Sequence, residues 1–215
     1  MNRLFCTLSN IYLLSLLSLI SLLTIGCGSA PKPVKFSTLW PTETISYEDS
    51  TDNWTRRGLL RASLANQASQ LLELHATFLS TEWRSAYVDR QAELQKFNDS
   101  ARKEMTEQQQ KLGSAHHQVE LVISTYHPEH NDLHREQSIW RVVLVDEAGN
   151  EFPAEKIERD RRPRQLISAE FNTLGDFSEA YLATFPFVDS ILSGKKFSLR
   201  ISCSLGTVEV DWISQ

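Results

Sequence analysis

His127, His130 and His134, with Glu129 and Asp132 between them, crowd five potential ligands for a borderline metal such as zinc into the eight residues HPEHNDLH. Three of these side chains in reach of one ion would make a metal-dependent hydrolase conceivable. Pro128 and Asn131-Asp132, however, set the residues in a loop, where no helix or sheet fixes the rings in a tetrahedral array. A polar surface loop is the plainer expectation, and no HExxH spacing occurs anywhere in the chain. His116 and His117 stand at the mouth of a strand and His75 alternates with apolar neighbours, positions that suit solvent-facing or hydrogen-bonded rings.

Nucleophilic chemistry has less to stand on. No serine is flanked as GxSxG, and Cys203 falls on the apolar register of Phe197, Leu199 and Ile201, which reads as a small core residue. Glu209 and Asp211 share one strand face, as paired acids must, but a strand face rich in charge is ordinarily a solvated one. The 8 glycines show no phosphate-loop or dinucleotide spacing. Arg159, Arg161, Arg162 and Arg164 form a basic cluster that would suit anionic lipid or an acidic partner, diluted by Glu155, Glu158 and Asp160. The expectation is therefore no catalytic residues and no cofactor.

The elements that must carry these residues follow from periodicity. Leu72, Leu74, Ala76 and Phe78 alternate with polar neighbours and predict a strand over about 70–79; the preceding 56–68 is open between an edge strand and a short helix. Ser80 or Thr81 can cap a helix, and Trp83, Tyr87, Leu94, Phe97, Ala101, Met105 and Leu112 follow at helical steps up to Gly113. This predicts one long helix over about 81–112, whose polar second half either projects into solvent or breaks near Asn98-Asp99-Ser100. Short alternating runs come next: Val119-Ile123, Trp140-Leu144, Phe152-Pro153 at an edge, Tyr181-Phe185, and a C-terminal hairpin of Phe197-Cys203 with Val208-Trp212. No βαβ rhythm appears, so the fold class is α+β and mainly β: an immunoglobulin-like antiparallel β-sandwich with one long inserted helix.

At the amino terminus, Arg3 precedes an almost wholly Leu, Ile and Ser run from Ile11 to Ile25, too short for a bilayer-spanning helix and suited to an export signal. It ends in Leu23-Thr24-Ile25-Gly26-Cys27, which resembles the lipobox of bacterial lipoproteins. That resemblance implies cleavage before Cys27, lipidation of Cys27 with three acyl chains, and stable membrane anchoring, since two or more chains suffice. By analogy with sorting in enteric bacteria, Gly28 rather than Asp after the cysteine favours the outer membrane, facing the periplasm.

The domains expected are a signal peptide at 1–26, a lipidated cysteine with a flexible tether at 27–53 containing Pro31, Pro33 and Pro41, and a β-sandwich domain at 54–215. Trp40 and Trp54 either dock on the domain or sit at the membrane interface. Loss of Arg3 with the leader takes the formal net charge from −5 to −6, an acidic balance that argues against nucleic acid as a partner. Cys6 leaves with the leader and Cys27 carries lipid, so Cys203 has no disulfide partner and the core alone must hold the fold. The partners expected are the membrane, through Cys27, and an envelope protein. The glycosylation-type triplets at Asn53 and Asn98 carry no weight in a bacterial exported chain.

Overall fold

The structure, a computed structural model, describes residues 32–64, 67–170, 175 and 177–215. The expected leader with Cys6, the lipid site Cys27 and the first tether residues up to Pro31 lie outside them. Among the described residues no helix is long and apolar enough to cross a membrane.

The chain runs helix α1 (Tyr47–Trp54), strands β1 (Thr55–Leu64) and β2 (Gln67–Phe78), helices α2 (Thr81–Gln95) and α3 (Asp99–Ala115), and strand β3 (His116–Thr125). A single 3-10 turn (Pro128–His130), β4 (Arg141–Val145), β5 (Glu151–Pro153) and β6 (Lys156–Arg159) follow. Helix α4 (Arg164–Glu170), β7 (Ser178–Pro186), helix α5 (Asp189–Ser193), β8 (Lys196–Cys203) and β9 (Gly206–Ile213) complete it. Two sheets result, ordered β1-β2-β3-β7-β6 and β5-β4-β8-β9, every pairing antiparallel.

Each sheet turns one alternating row inward. Leu72, Leu74, Ala76 and Phe78 of β2, Val119, Leu121 and Ile123 of β3, and Phe197, Leu199 and Ile201 of β8 are buried in one core, as the period-2 pattern requires. At one margin the chain passes between sheets: the Ala154 amide donates to Val142 O in one, and the Glu155 amide to Thr184 O in the other. At the opposite margin β1 meets β9, where Arg56 Nε donates to Asp211 O (2.9 Å) and Trp212 Nε1 to Trp54 O (2.9 Å).

The expected tether is different from what sequence implies. Val34 pairs with Ser214, and the buried Arg56 guanidinium donates to Lys32 O (2.7 Å) as well as to Asn53 O and Thr55 O. Helix α1 is capped by Ser46, whose hydroxyl accepts from the Asp49 amide, and it buries Tyr47, Ser50 and Trp54 against the body. Packing thus starts near Val34 rather than at residue 54, because aromatic burial outweighs the turn-rich composition of the segment. Trp54 is a core residue, stacked 6.2 Å from Phe36.

The long helix is two. Ser80 caps α2, Lys96 takes the left-handed conformation at its end (φ 56°), and Asn98 Oδ1 accepts from the Ala101 amide to start α3. Arg102 pairs with Asp89 across the hairpin. No residue of α3 is buried, in line with its polar composition.

Candidate functional site

The histidine loop does not assemble a metal centre. The rings of His127 and His130 lie edge-to-face at 5.4 Å, while His134 stacks 5.9 Å away on Tyr181. Among the described residues no group of three His, Cys, Asp or Glu side chains is placed to hold an ion. The loop serves packing instead. Tyr181 Oη donates to the Asn131 backbone and side-chain oxygens (2.6 and 2.9 Å), Asn131 Nδ2 donates to Ile123 O, and Trp140 Nε1 donates to His130 O. Burial pushes the Tyr181 phenol up, which keeps it a donor at every ordinary pH.

The other candidates are engaged too. Cys203 is a half-buried free thiol at the end of β8. Glu209 and Asp211 share a face of β9, but each meets a cation on β8: Arg200 at 2.8 Å and Lys196 at 3.0 Å. Burial works against the charge on Glu209, yet Ser198 and Arg200 hold its carboxyl below the usual range, which disqualifies it as a proton donor at neutral pH. Arg159 forms a fork on Glu179, Arg162 bonds Asp160, and Arg164 is used on the backbone oxygens of Ser178 and Gly175. Beside them and His134 lies a cavity of about 490 Å³, lined by these arginines and Arg161, in which Asp160 and Glu179 offset two of the four positive charges.

A second cavity, of about 620 Å³, opens where the helical hairpin meets the first sheet. Its walls come from residues 38–40, the start of α2, the end of α3, the start of β3 and residues 187–192; Trp40, Leu39, Phe187 and Leu192 are its apolar side chains near the mouth. Its buried cation is Arg84, 2% exposed. Arg84 Nε donates to Leu79 O (3.0 Å), Nη1 to Gln109 Oε1 (2.8 Å) and Nη2 to Gln118 Oε1 (2.8 Å). These bonds tie α2 to α3 and β3, and Gly113 is what lets α3 lie over the arginine: a Cβ there would stand 3.2 Å from Arg84 Nε.

All three acceptors of Arg84 are neutral, and no carboxylate lies in ion-pair range of it among the described residues. Burial lowers its pKa to about 10, the charge of Glu120 working in the other direction, so it stays a cation at neutral pH. Arg56 shows the contrasting case of a buried arginine absorbed by structure, with four N–H contacts to backbone oxygens. Nothing in the sequence marks Arg84 as different from a solvated helix arginine.

His117 stands beside Arg84 in the same wall, 3% exposed, its ring 4.8 Å from Phe187. The Val188 amide donates to its Nε2 (3.2 Å), and Val188 O lies 3.0 Å from the same nitrogen. Burial lowers its pKa, with the charge of Arg84 adding to the effect and Val188 O and Asp189 opposing it. The folded state therefore takes up this proton at lower pH than the unfolded chain, whose histidines titrate near pH ~6.5. Between the two values the unfolded state binds more protons, so stability is complete above about pH 6.5 and falls as pH drops through that window. His75 and His134 are lowered as well, burial first in both, and act in the same direction. Urea midpoints are expected to fall between pH 7.5 and 5.5, and to fall less in His117→Asn; equal slopes in the two proteins would show that His117 takes no part.

Compared with family models, curated proteins and solved structures, the chain matches none of them.

Proposed function

We propose that this chain is a bacterial lipoprotein: cut before Cys27, held by acyl chains on that sulfur to the outer membrane facing the periplasm, and serving as a non-catalytic binding module of the cell envelope. The observation that carries the anchor is the apolar run Ile11–Ile25 closing on Gly26-Cys27. The observation that supports binding over catalysis is a cavity with a buried cation and no nucleophile–base pair among the side chains described around it. The alternative, a metal-dependent hydrolase using His127, His130 and His134, loses support because the first two rings and the third part ways. The immunoglobulin-like comparison belongs to the same proposal, supported by two facing antiparallel sheets with a helical hairpin inserted between β2 and β3.

The test is metabolic labelling with an alkyne analogue of palmitate, followed by membrane fractionation. The native chain is expected to take the label and sediment with membranes, and Cys27→Ser to lose both the label and the membrane fraction. An unlabelled native chain released to the medium, in cells that process other lipoproteins, would end the proposal.

A further inference from the structure

We infer that the cavity at the hairpin–sheet junction binds an amphipathic monoanion, its carboxylate received by Arg84 and its acyl body lying along Trp40, Leu39 and Phe187. The inference rests on reading this cavity as the binding site of the module.

Charge leads. A guanidinium taken out of water needs a counter-charge or a full set of acceptors. Arg84 has three acceptors for five N–H groups, all neutral, and its remaining donors belong to a side chain that forms part of the cavity wall. An anion entering the cavity would supply both the charge and the acceptors, in a place where water screens little. His117 is held neutral at physiological pH by its burial, and Arg84 is the buried cation of the wall, Lys111 and Glu107 both being exposed on α3. The two N–H groups left on Arg84 match the two oxygens of one carboxylate, and the charge of Glu120, which already acts on Arg84, weighs against a dianionic phosphate.

The rest of the wall sets the other half of the ligand. Leu39, 78% exposed, lines the cavity together with Trp40, Phe187 and Leu192, which give it a contiguous apolar surface. A volume of about 620 Å³ falls in the range of small-molecule sites, which bury an apolar body and fix it with a few polar groups. A free acyl carboxylate has that division, and a protein anchored on a lipid surface has such molecules at hand.

The test uses the full chain, extracted from membranes and reassembled in nanodiscs, with empty nanodiscs as reference. Binding of octanoate, octanol, octyl phosphate, acetate and the peptide acid acetyl-trileucine is measured by calorimetry, and the octanoate head is followed by its carboxyl ¹³C shift. Octanoate is expected to bind at least about tenfold more tightly than octanol, the difference a charge-assisted hydrogen bond makes, and more tightly than octyl phosphate, acetate or the peptide. Trp40→Ala should weaken octanoate severalfold without disturbing the fold, and Arg84→Lys should abolish the carboxyl shift; the ligand series on the native chain stands even where Arg84→Lys does not fold. Equal binding of octanoate and octanol overturns the anion and leaves the cavity as a site. Tighter binding of the peptide or the phosphate overturns the acyl carboxylate. Binding of none of the probes overturns the inference and the cavity together, while the label at Cys27 still reports on the anchor.

Discussion

Trp212→Ala is expected to cost the domain about 3–5 kcal/mol, a large part of the stability of a single domain. Trp212 is fully buried, stacked 4.9 Å from Phe197 at 13° and 6.0 Å from Phe78, and its Nε1 donates to Trp54 O. Truncation removes the indole from the centre of an aromatic cluster that spans both sheets and leaves the Trp54 carbonyl, at the end of α1, without its donor. Both terms have the same sign. At a urea slope of about 1–3 kcal/mol/M, the midpoint should move by roughly 2 M, with Trp212→Phe losing much less. A shift corresponding to less than about 1 kcal/mol would show that β9 does not close the core in the way described.

Trp212 was legible from sequence, as were the elements that surround it. Alternation at Leu72–Phe78, Phe197–Cys203 and Val208–Trp212 predicts strands that the structure places at Gln67–Phe78, Lys196–Cys203 and Gly206–Ile213. These strands have one face in the core and one in polar surroundings, the situation in which period 2 is written most clearly. Where an element is buried on several sides, the pattern can mark the element but not the partners of its side chains. Helix α2 buries Trp83, Arg84, Ser85, Ala86 and Val88 between α1, α3 and the sheet, so its amphipathic signal is weak and the structural role of Arg84 cannot be seen in it. Helix α1 escaped notice for the opposite reason: Tyr47, Ser50 and Trp54 are its only buried positions, a stripe too thin to register against a background of Ser, Thr and Asp. The cavity itself draws on residues 38–40, 78–84, 107–117 and 187–192, segments that only the tertiary fold brings together. The histidine loop was conspicuous by composition, yet the side chains there and just after it that matter to the core are Asn131, Leu133 and Trp140, which no metal-ligand pattern includes.

Gly58→Ala is expected to destabilise by about 1–3 kcal/mol, against the usual gain of about 0.5–1 kcal/mol for removing glycine from a strand. The reason is the seam between β1 and β9. A Cβ at position 58 would lie 2.5 Å from Val208 Cγ2 and 2.9 Å from Val210 Cγ1, far inside the roughly 3.5–4.0 Å at which carbon atoms attract. Both valines are buried in the core that also holds Leu60 and Leu74, so a shift that relieves the contact disturbs packed neighbours. Relief should therefore come from the partner: Val208→Ala alone loses packing, but combined with Gly58→Ala it opens the space that the new methyl needs. The pair is expected to be less destabilised than the sum of the single variants by about 1–2 kcal/mol, read from urea unfolding of the four proteins. Additive losses would mean that the close approach of β1 to β9 is absent in solution, and with it the margin at which Arg56 fastens the amino-terminal segment to the sandwich.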